Sequence, residues 1–108
     1  MIASMGRPWW AGAEVKRKAM RSVTWQLFQA KAPKFKAPVI ITLACFERDR
    51  RRDIDNVRSG ATKIIQDALK QMGVIKNDSQ RWVRDVRYIP VQVDKRNPRV
   101  ELEITEAL

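Results

Sequence analysis

The chain has 108 residues, 44% of them apolar, and its 22 Lys and Arg outweigh 12 Asp and Glu to give a formal net charge of +10. This size predicts one domain over 1–108. The charge predicts a polyanionic partner, with nucleic acid as the first candidate and a membrane surface as the second. Histidine is absent, which excludes His-based catalysis and His-ligated zinc. The single cysteine, Cys45, excludes an internal disulfide and is expected to be a buried structural thiol. With neither a membrane-length apolar run nor signal-peptide features, the sequence predicts a cytoplasmic protein without a membrane partner.

The first helical pattern runs from Ala13 to about Ala30, after Trp9 and Trp10, which are better suited to packing than to stacking on bases. Its buried side is predicted from an apolar residue at every fourth position, with Met20, Trp25 and Phe28 close by: Val15, Ala19, Val23 and Leu27. The opposite side carries four cations: Lys16, Arg17, Lys18 and Arg21. A solvated face and a basic stripe lying against phosphates are equally good interpretations.

An apolar, β-branched run over Val39–Phe46 predicts a central strand with both faces covered. It leads into the segment Arg50–Asn56, in which three arginines precede two aspartates. In an extended chain Asp53 and Asp55 point to the same side, with attachment points roughly 6–7 Å apart. A hard divalent cation suits such carboxylates, and planar guanidinium groups suit phosphate. The arginines concerned are Arg50, Arg51 and Arg52.

The alternative for this segment is a solvated loop in which arginines and aspartates pair with one another. Two further carboxylates, Glu47 and Asp49, lie an even number of residues from Asp53 and would point to the same side of an extended chain. For these two, simple pairing with arginines is favoured. Asn56 is the predicted N-cap of a second helix whose regular part begins near Ala61. Its apolar stripe ends before Gly73, the predicted C′ residue.

A strand is predicted over Trp82–Ile89, with an extension to Val93 left open, and a second, cleanly alternating strand over Arg99–Ile104. The two are expected to pair as a hairpin joined by the loop Asp94–Pro98. The order helix, strand, helix, strand, strand predicts an α+β fold. We expect a small mixed or antiparallel sheet of about three strands with two helices packed on one face.

Four blocks of this sequence resemble the RusA family of Holliday-junction resolvases, in particular its phage-borne members, over about residues 35–105. The blocks are Arg51–Asn56, Ile65–Leu69, Gly73–Gln80 and Lys95–Ile104. The resemblance implies a small, homodimeric, Mg²⁺-dependent endonuclease, with Mn²⁺ able to replace the metal. Such enzymes nick opposing strands of four-way DNA junctions in recombination and repair. Branched DNA is therefore the expected partner.

The resemblance also assigns roles residue by residue. It places the family's three essential aspartates, as catalytic metal ligands, at Asp53, Asp55 and Asp78. The family's catalytic lysine falls at Lys63 when counted from the end of the helix, and at Ser59 when counted from Asp55. Pairing with Asp67 one turn later is the alternative role of Lys63.

The family usually opens with a strand and a Pro-rich turn before its first helix, and this chain is expected to lack that strand, which would expose a sheet edge. The expected DNA contacts come from the first helix and the arginine run: Lys16, Arg17, Lys18, Arg21, Arg50, Arg51 and Arg52. The alternative functions are a non-catalytic basic nucleic-acid-binding module and a purely structural partner of a phage replication complex.

The lengths of the second helix and of the turn after it limit how the site is assembled. A helix from Ala61 to Met72 is about 18 Å long, and the residues from Gly73 to Asn77 span at most about 17 Å. Asp78 therefore reaches Asp53 only if the turn doubles straight back. Otherwise the site is completed differently, for example across a dimer interface.

Overall fold

The computed structural model describes residues 2–6 and 13–107, with side chains from Arg17 onward. Trp9 and Trp10, and the side chains of Val15 and Lys16, lie outside the described residues. Six elements follow one another: β1 (Ile2–Gly6), α1 (Ala13–Gln29), β2 (Val39–Glu47), α2 (Ile54–Gln71), β3 (Val83–Val93) and β4 (Arg99–Glu106). In the described part of the chain, neither helix has the length and apolar composition needed to cross a membrane. The α+β class with two helices is confirmed.

The four strands form one mixed sheet in the order β1-β4-β2-β3. Strand β4 is antiparallel to both β1 and β2, whereas β3 is parallel to β2. The predicted β3–β4 hairpin is therefore wrong, because the two strands lie on opposite sides of β2. The reason is burial: β4 sets Leu102 opposite Leu43 and Ile104 opposite Ile41, whereas most side chains of β3 are exposed. All three apolar side chains of β4, Val100, Leu102 and Ile104, are buried on the covered face of the sheet, and this burial favours β4 as the direct neighbour of β2.

The expected absence of a first strand is also corrected. The backbone of β1 pairs with β4 from Ile2 opposite Glu103 to Gly6 opposite Arg99, which adds a fourth strand to the three expected. Its five residues include a serine and a glycine and show no clear alternation. Pairing with β4, rather than an amphipathic pattern, therefore defines this strand.

Both helices start at the same edge of the sheet. Strands β1 and β2 run in the same direction, because each is antiparallel to β4, and each is followed by a helix that runs back along the sheet. Beyond the two helices, the N–H of Phe35 donates to the carbonyl of Val74 at 2.9 Å, so the helices also end together. We call this side of the sheet, at the carboxyl ends of β1 and β2 where α1 and α2 begin, the upper edge. It is distinct from the lateral edge formed by β3.

The core lies between the helices and one face of the sheet. Along β2, alternate residues from Val39 to Glu47 are buried, and the residues between them are half-buried. The prediction that both faces of β2 are covered is therefore only half right. Cys45 lies on the covered face, and burial raises the pKa of its thiol to about 11, as expected for a structural thiol. The helices contribute a shared apolar set: Ala19, Val23, Leu27, Val57, Ala61, Ile64, Ile65, Ala68 and Leu69.

The start of α2 differs from the sequence prediction. Asp53 is the N-cap, with φ −61° and ψ 132°, and the helix begins at Ile54 rather than near Ala61. The Oδ1 atom of Asp53 accepts a hydrogen bond from the backbone N–H of Asp55 at 2.8 Å. This bond satisfies one of the donors that a helix start leaves unpaired. Asn56, the predicted cap, lies inside the first turn. At the other end, Gly73 has φ 72°, which confirms it as the residue that ends the helix.

Candidate functional site

Asp53 and Asp55 lie together at the upper edge, where the loop after β2 enters α2. Both side chains are exposed, and among the described residues neither carboxylate forms a salt bridge within 4.0 Å. The positive end of the helix dipole favours negative charge at this position. Two exposed carboxylates suit Mg²⁺, which binds through one or two carboxylates and keeps several waters. The pair predicted from the sequence is thus accessible to a metal and to a phosphate.

Asp78 lies at the opposite end of α2. Its Oδ2 atom is 3.1 Å from the Nζ of Lys70, and this hydrogen bond from the ammonium group lowers the pKa of the carboxyl. The fifteen residues from Asp55 to Lys70 rise about 22 Å along the helix axis. Among the residues that the structure describes, no group of three or more carboxylate or thiol side chains is close enough to hold a metal ion. The turn after α2 does not double back, so Asp78 does not join Asp53 and Asp55 within one chain.

Lys63 is occupied by a helical ion pair. Its Nζ lies 3.3 Å from Oδ1 of Asp67, and the same oxygen is 3.4 Å from the Nζ of Lys70. Together with Asp78, these side chains form a continuous line of alternating charge along the C-terminal half of α2. Lys63 lies eight residues beyond Asp55, about 12 Å along the helix. The observed contact is the pairing with Asp67 that is the alternative to a catalytic role for Lys63.

Glu47 and Asp49 pair with arginines, as favoured from the sequence. Glu47, only 4% exposed, has its Oε1 3.5 Å from the Nε of Arg52. Burial raises the pKa of this carboxyl, and the charge of Arg52 opposes that rise. Asp49 lies 3.7 Å from Arg48 and 3.8 Å from Arg51. Glu47 therefore anchors the residue that directly precedes Asp53.

A basic cleft adjoins this anchor, between the loop after β2 and the loop after β3. The two loops meet because the strands are parallel, and the N–H of Asp94 donates to the carbonyl of Glu47 at 2.8 Å. Five cations and two carboxylates are among the residues that line the cleft: Glu47, Arg48, Asp49, Arg51, Arg52, Lys95, Arg96, Asn97 and Pro98. Lys95 and Arg96 were missed from the sequence, since their loop is brought to the upper edge by the pairing of both β3 and β4 with β2, at Val93 opposite Glu47 and Arg99 opposite Phe46.

Arg58 is a second residue that the sequence analysis missed. It lies one turn beyond Asp55, and its guanidinium carbon is 5.1 Å from the ring centroid of Tyr88. The Tyr88 hydroxyl is in turn 2.6 Å from Oγ1 of Thr62. The Nε of Arg58 is buried and has no hydrogen-bond partner among the described residues. Its position in the sequence could have identified it, because Arg58 follows Asp55 by three residues and residues three apart on a helix share a face.

The first turns of α1 lie at the same edge as Asp53. Arg17, Lys18 and Arg21 are exposed there, and among the described residues none of the three forms a salt bridge. The fourth predicted cation of this helix, Lys16, has no described side chain. The upper edge therefore combines two exposed carboxylates that form no salt bridge among the described residues with positive charge from both loops and from α1.

The sequence was also compared with known proteins. The family model described as Endodeoxyribonuclease RusA matches residues 10–105. This range includes both helices, the strands β2 and β3 and most of β4, and with them Asp53, Asp55 and Asp78. A search of curated proteins gave no match. Since the family model spans most of the sequence, the chain belongs to the RusA family of endodeoxyribonucleases.

Proposed function

We propose that this protein is a Mg²⁺-dependent endonuclease that resolves four-way DNA junctions by paired hydrolysis of phosphodiester bonds in recombination and repair. Membership of the family supports the nuclease class. The observation that carries the proposal is the exposed pair formed by Asp53, the N-cap of α2, and Asp55 in its first turn, beside a cleft that holds five cations. Free carboxylates next to phosphate-binding groups are what metal-assisted phosphodiester cleavage requires.

In this proposal Asp53 and Asp55 hold the metal, with Asp78 as a further ligand and Mn²⁺ able to replace Mg²⁺. When bound, the metal supplies an activated water and stabilises charge on the leaving oxygen. Asp53 keeps one oxygen in the helix cap and offers the other to a ligand. Lys63 stays a predicted source of positive charge at the phosphate, provided that it leaves Asp67. Arg58, nearer to Asp55 along the helix, is a second candidate for that role.

We further propose that the enzyme acts as a homodimer in which Asp78 of a second copy completes the site. The support is the length of α2, which keeps Asp78 away from Asp53 and Asp55 in one chain. Ile54, Ile89 and Val93 are exposed apolar side chains, and Ile54 and Val93 line one depression next to the site. An edge strand with exposed apolar residues is suited to covering by a second copy. The surface around β3 is therefore our candidate interface.

The cations of the basic cleft and of α1 would hold the DNA backbone. Arg50 and Arg51 are exposed at the site, and Arg52 is oriented by Glu47. The first helix adds Arg17, Lys18 and Arg21. Lys16 is assigned to the same set from the sequence alone. Because each neutralised phosphate releases counterions, binding should weaken steeply with salt.

The test is incubation of the protein with a labelled synthetic four-way junction or a linear duplex, with Mg²⁺ or EDTA, at two salt concentrations. The proposal predicts paired nicks in the junction that need Mg²⁺ and are absent from the duplex. Folded protein that binds the junction in a salt-sensitive way but never cuts it would instead establish the alternative, a non-catalytic basic nucleic-acid-binding module. That alternative is favoured by one observation, the failure of the three aspartates to meet within one chain.

A further inference from the structure

The outer side of α1 carries an exposed pair of aromatic rings. Trp25 is 58% exposed and Phe28 is 65% exposed, although both were expected near the buried stripe. Their ring centroids are 5.9 Å apart and their planes differ by 23°, which is a stacked arrangement. The rings lie beside Arg21, Thr24 and Met72 around a shallow depression. Two large apolar rings held against each other in solvent are a preformed surface for another flat group.

These rings continue the basic stripe of α1. At 100° per residue, the side chains of the stripe fall within an arc of about 100° on the helix: Arg17, Lys18, Arg21, Trp25 and Phe28. The buried residues of α1 lie on the opposite side. We call this exposed face the α1 stripe. Its upper half is cationic and its lower half is aromatic, with Arg21 about 6 Å from Trp25 along the axis.

The charge of this region indicates which partner covers it. From Ala13, where α1 begins, to Phe46 the chain has seven Lys or Arg and one carboxylate, Glu14. A second copy would bring the same charge onto the stripe, which is unfavourable, whereas a polyanion is complementary. From the surface area that Trp and Phe side chains usually bury, the exposed parts of the two rings together amount to roughly 250 Å². This area is well below the about 800 Å² that each partner buries in a stable protein interface. Nucleic acid is therefore the occupant that the surface favours.

We propose that the Trp25–Phe28 pair is a stacking site for unpaired nucleobases of branched DNA, with the cations of the α1 stripe on the neighbouring phosphates. The inference rests on the proposed function, since it adds a base-binding site to the same DNA-cutting enzyme. Bases inside a duplex are stacked on one another and are not available to these rings. Bases freed at a branch point or bulge expose their faces, and aromatic side chains bind them with little sequence preference.

The test measures binding by fluorescence anisotropy in EDTA, so that cleavage plays no part. The two labelled DNAs are a junction with a short unpaired segment and a fully paired duplex. Trp25→Ala should weaken binding of the first roughly 5- to 150-fold, which corresponds to about 1–3 kcal/mol for one stacked base. Binding of the duplex should stay within about twofold. Trp25→Phe should recover most of the loss, and Gln29→Ala, an exposed change on the same helix, should bind as wild type.

Three outcomes would overturn the proposal. They are no loss on either DNA, an equal loss on both, and a loss that comes with a change of oligomeric state in analytical ultracentrifugation. The last would assign the rings to contact between copies. Circular dichroism checks folding, and Phe28→Ala serves as a second probe of the same site.

Failure of this inference can be told apart from failure of the proposed function. Cleavage of the same junction with Mg²⁺ is measured in parallel. If wild type does not cut but Trp25→Ala still loses binding to unpaired bases, the nuclease proposal fails and the stacking site stands. If wild type cuts and Trp25→Ala binds as wild type does, only the stacking site fails.

Discussion

The two proposed roles of Asp53, helix cap and metal ligand, can be separated with two substitutions. Asp53 caps α2 through its Oδ1 contact to the N–H of Asp55 at 2.8 Å. Asparagine is as good an N-cap as aspartate, since its side-chain oxygen accepts the same bond. Asp53→Asn should therefore keep the cap and remove the charge. Asp53→Ala should remove both.

The expected magnitudes differ in the two assays. Loss of an N-cap costs about 1 kcal/mol, within a range of about 0.5–2, and for a domain of this size that lowers Tm by about 4–8 °C. Asp53→Ala should show this loss in urea and thermal unfolding, and Asp53→Asn should stay within about 0.5 kcal/mol of wild type. Both should lower the rate of junction cleavage at least about a hundredfold, because loss of several kcal/mol of metal-assisted stabilisation costs tenfold per 1.36 kcal/mol.

Binding of the junction gives a third measurement. Removing a negative charge that faces phosphate should leave the Kd unchanged or lower it. Unfolding midpoints, single-turnover cleavage and anisotropy are to be compared on the same preparations. Cleavage left intact in Asp53→Asn would refute the metal-site assignment. An Asp53→Ala variant as stable as wild type would refute the energetic role of the cap, whatever its activity.

Three further predictions concern neighbouring groups. Glu47 has a pKa raised above the usual value of 4.5 in the folded state, so the folded protein binds its proton more tightly than the unfolded chain. The free energy of unfolding of wild type relative to Glu47→Gln should therefore fall as the pH rises above about 4.5 towards neutrality. Urea titrations at several pH values measure this difference, and a difference that rises with pH would contradict the assignment. Asp78 has a lowered pKa, and its pairing stabilises the fold above the usual value of 3.8 and is lost as the pH falls through the lowered pKa. Lys70→Met should raise that pKa towards 3.8, and an unmoved NMR titration of the carboxyl would contradict the contact. Replacing Lys95 and Arg96 by alanine should reduce the slope of log K against log salt by up to about 1.8 if both contact phosphates, and an unchanged slope would remove the basic cleft from the DNA interface.

Much of the local structure was readable from the sequence. Alternation in β4 and the four-residue step in α1 identified the sides that are buried, because each pattern reflects the period of a single element. The segment Arg50–Asn56 marked the exposed carboxylates, and the blocks shared with the family identified the class of enzyme. The pairing of Glu47 with an arginine was also expected. These features depend on residues a few positions apart, which a local pattern records.

Other features depend on contacts between distant segments, and only the tertiary structure decided them. The strands compete for central positions, and burial of Leu102 and Ile104 against β2 placed β3 at the edge as a parallel strand. The pairing of β3 and β4 with β2 placed Lys95 and Arg96 at the upper edge, beside the loop after β2. Capping by Asp53 rather than Asn56 lengthened α2, and the longer helix keeps Asp78 away from Asp53. A short strand such as β1 has no strong pattern of its own, and its existence follows from the backbone groups that β4 offers for pairing.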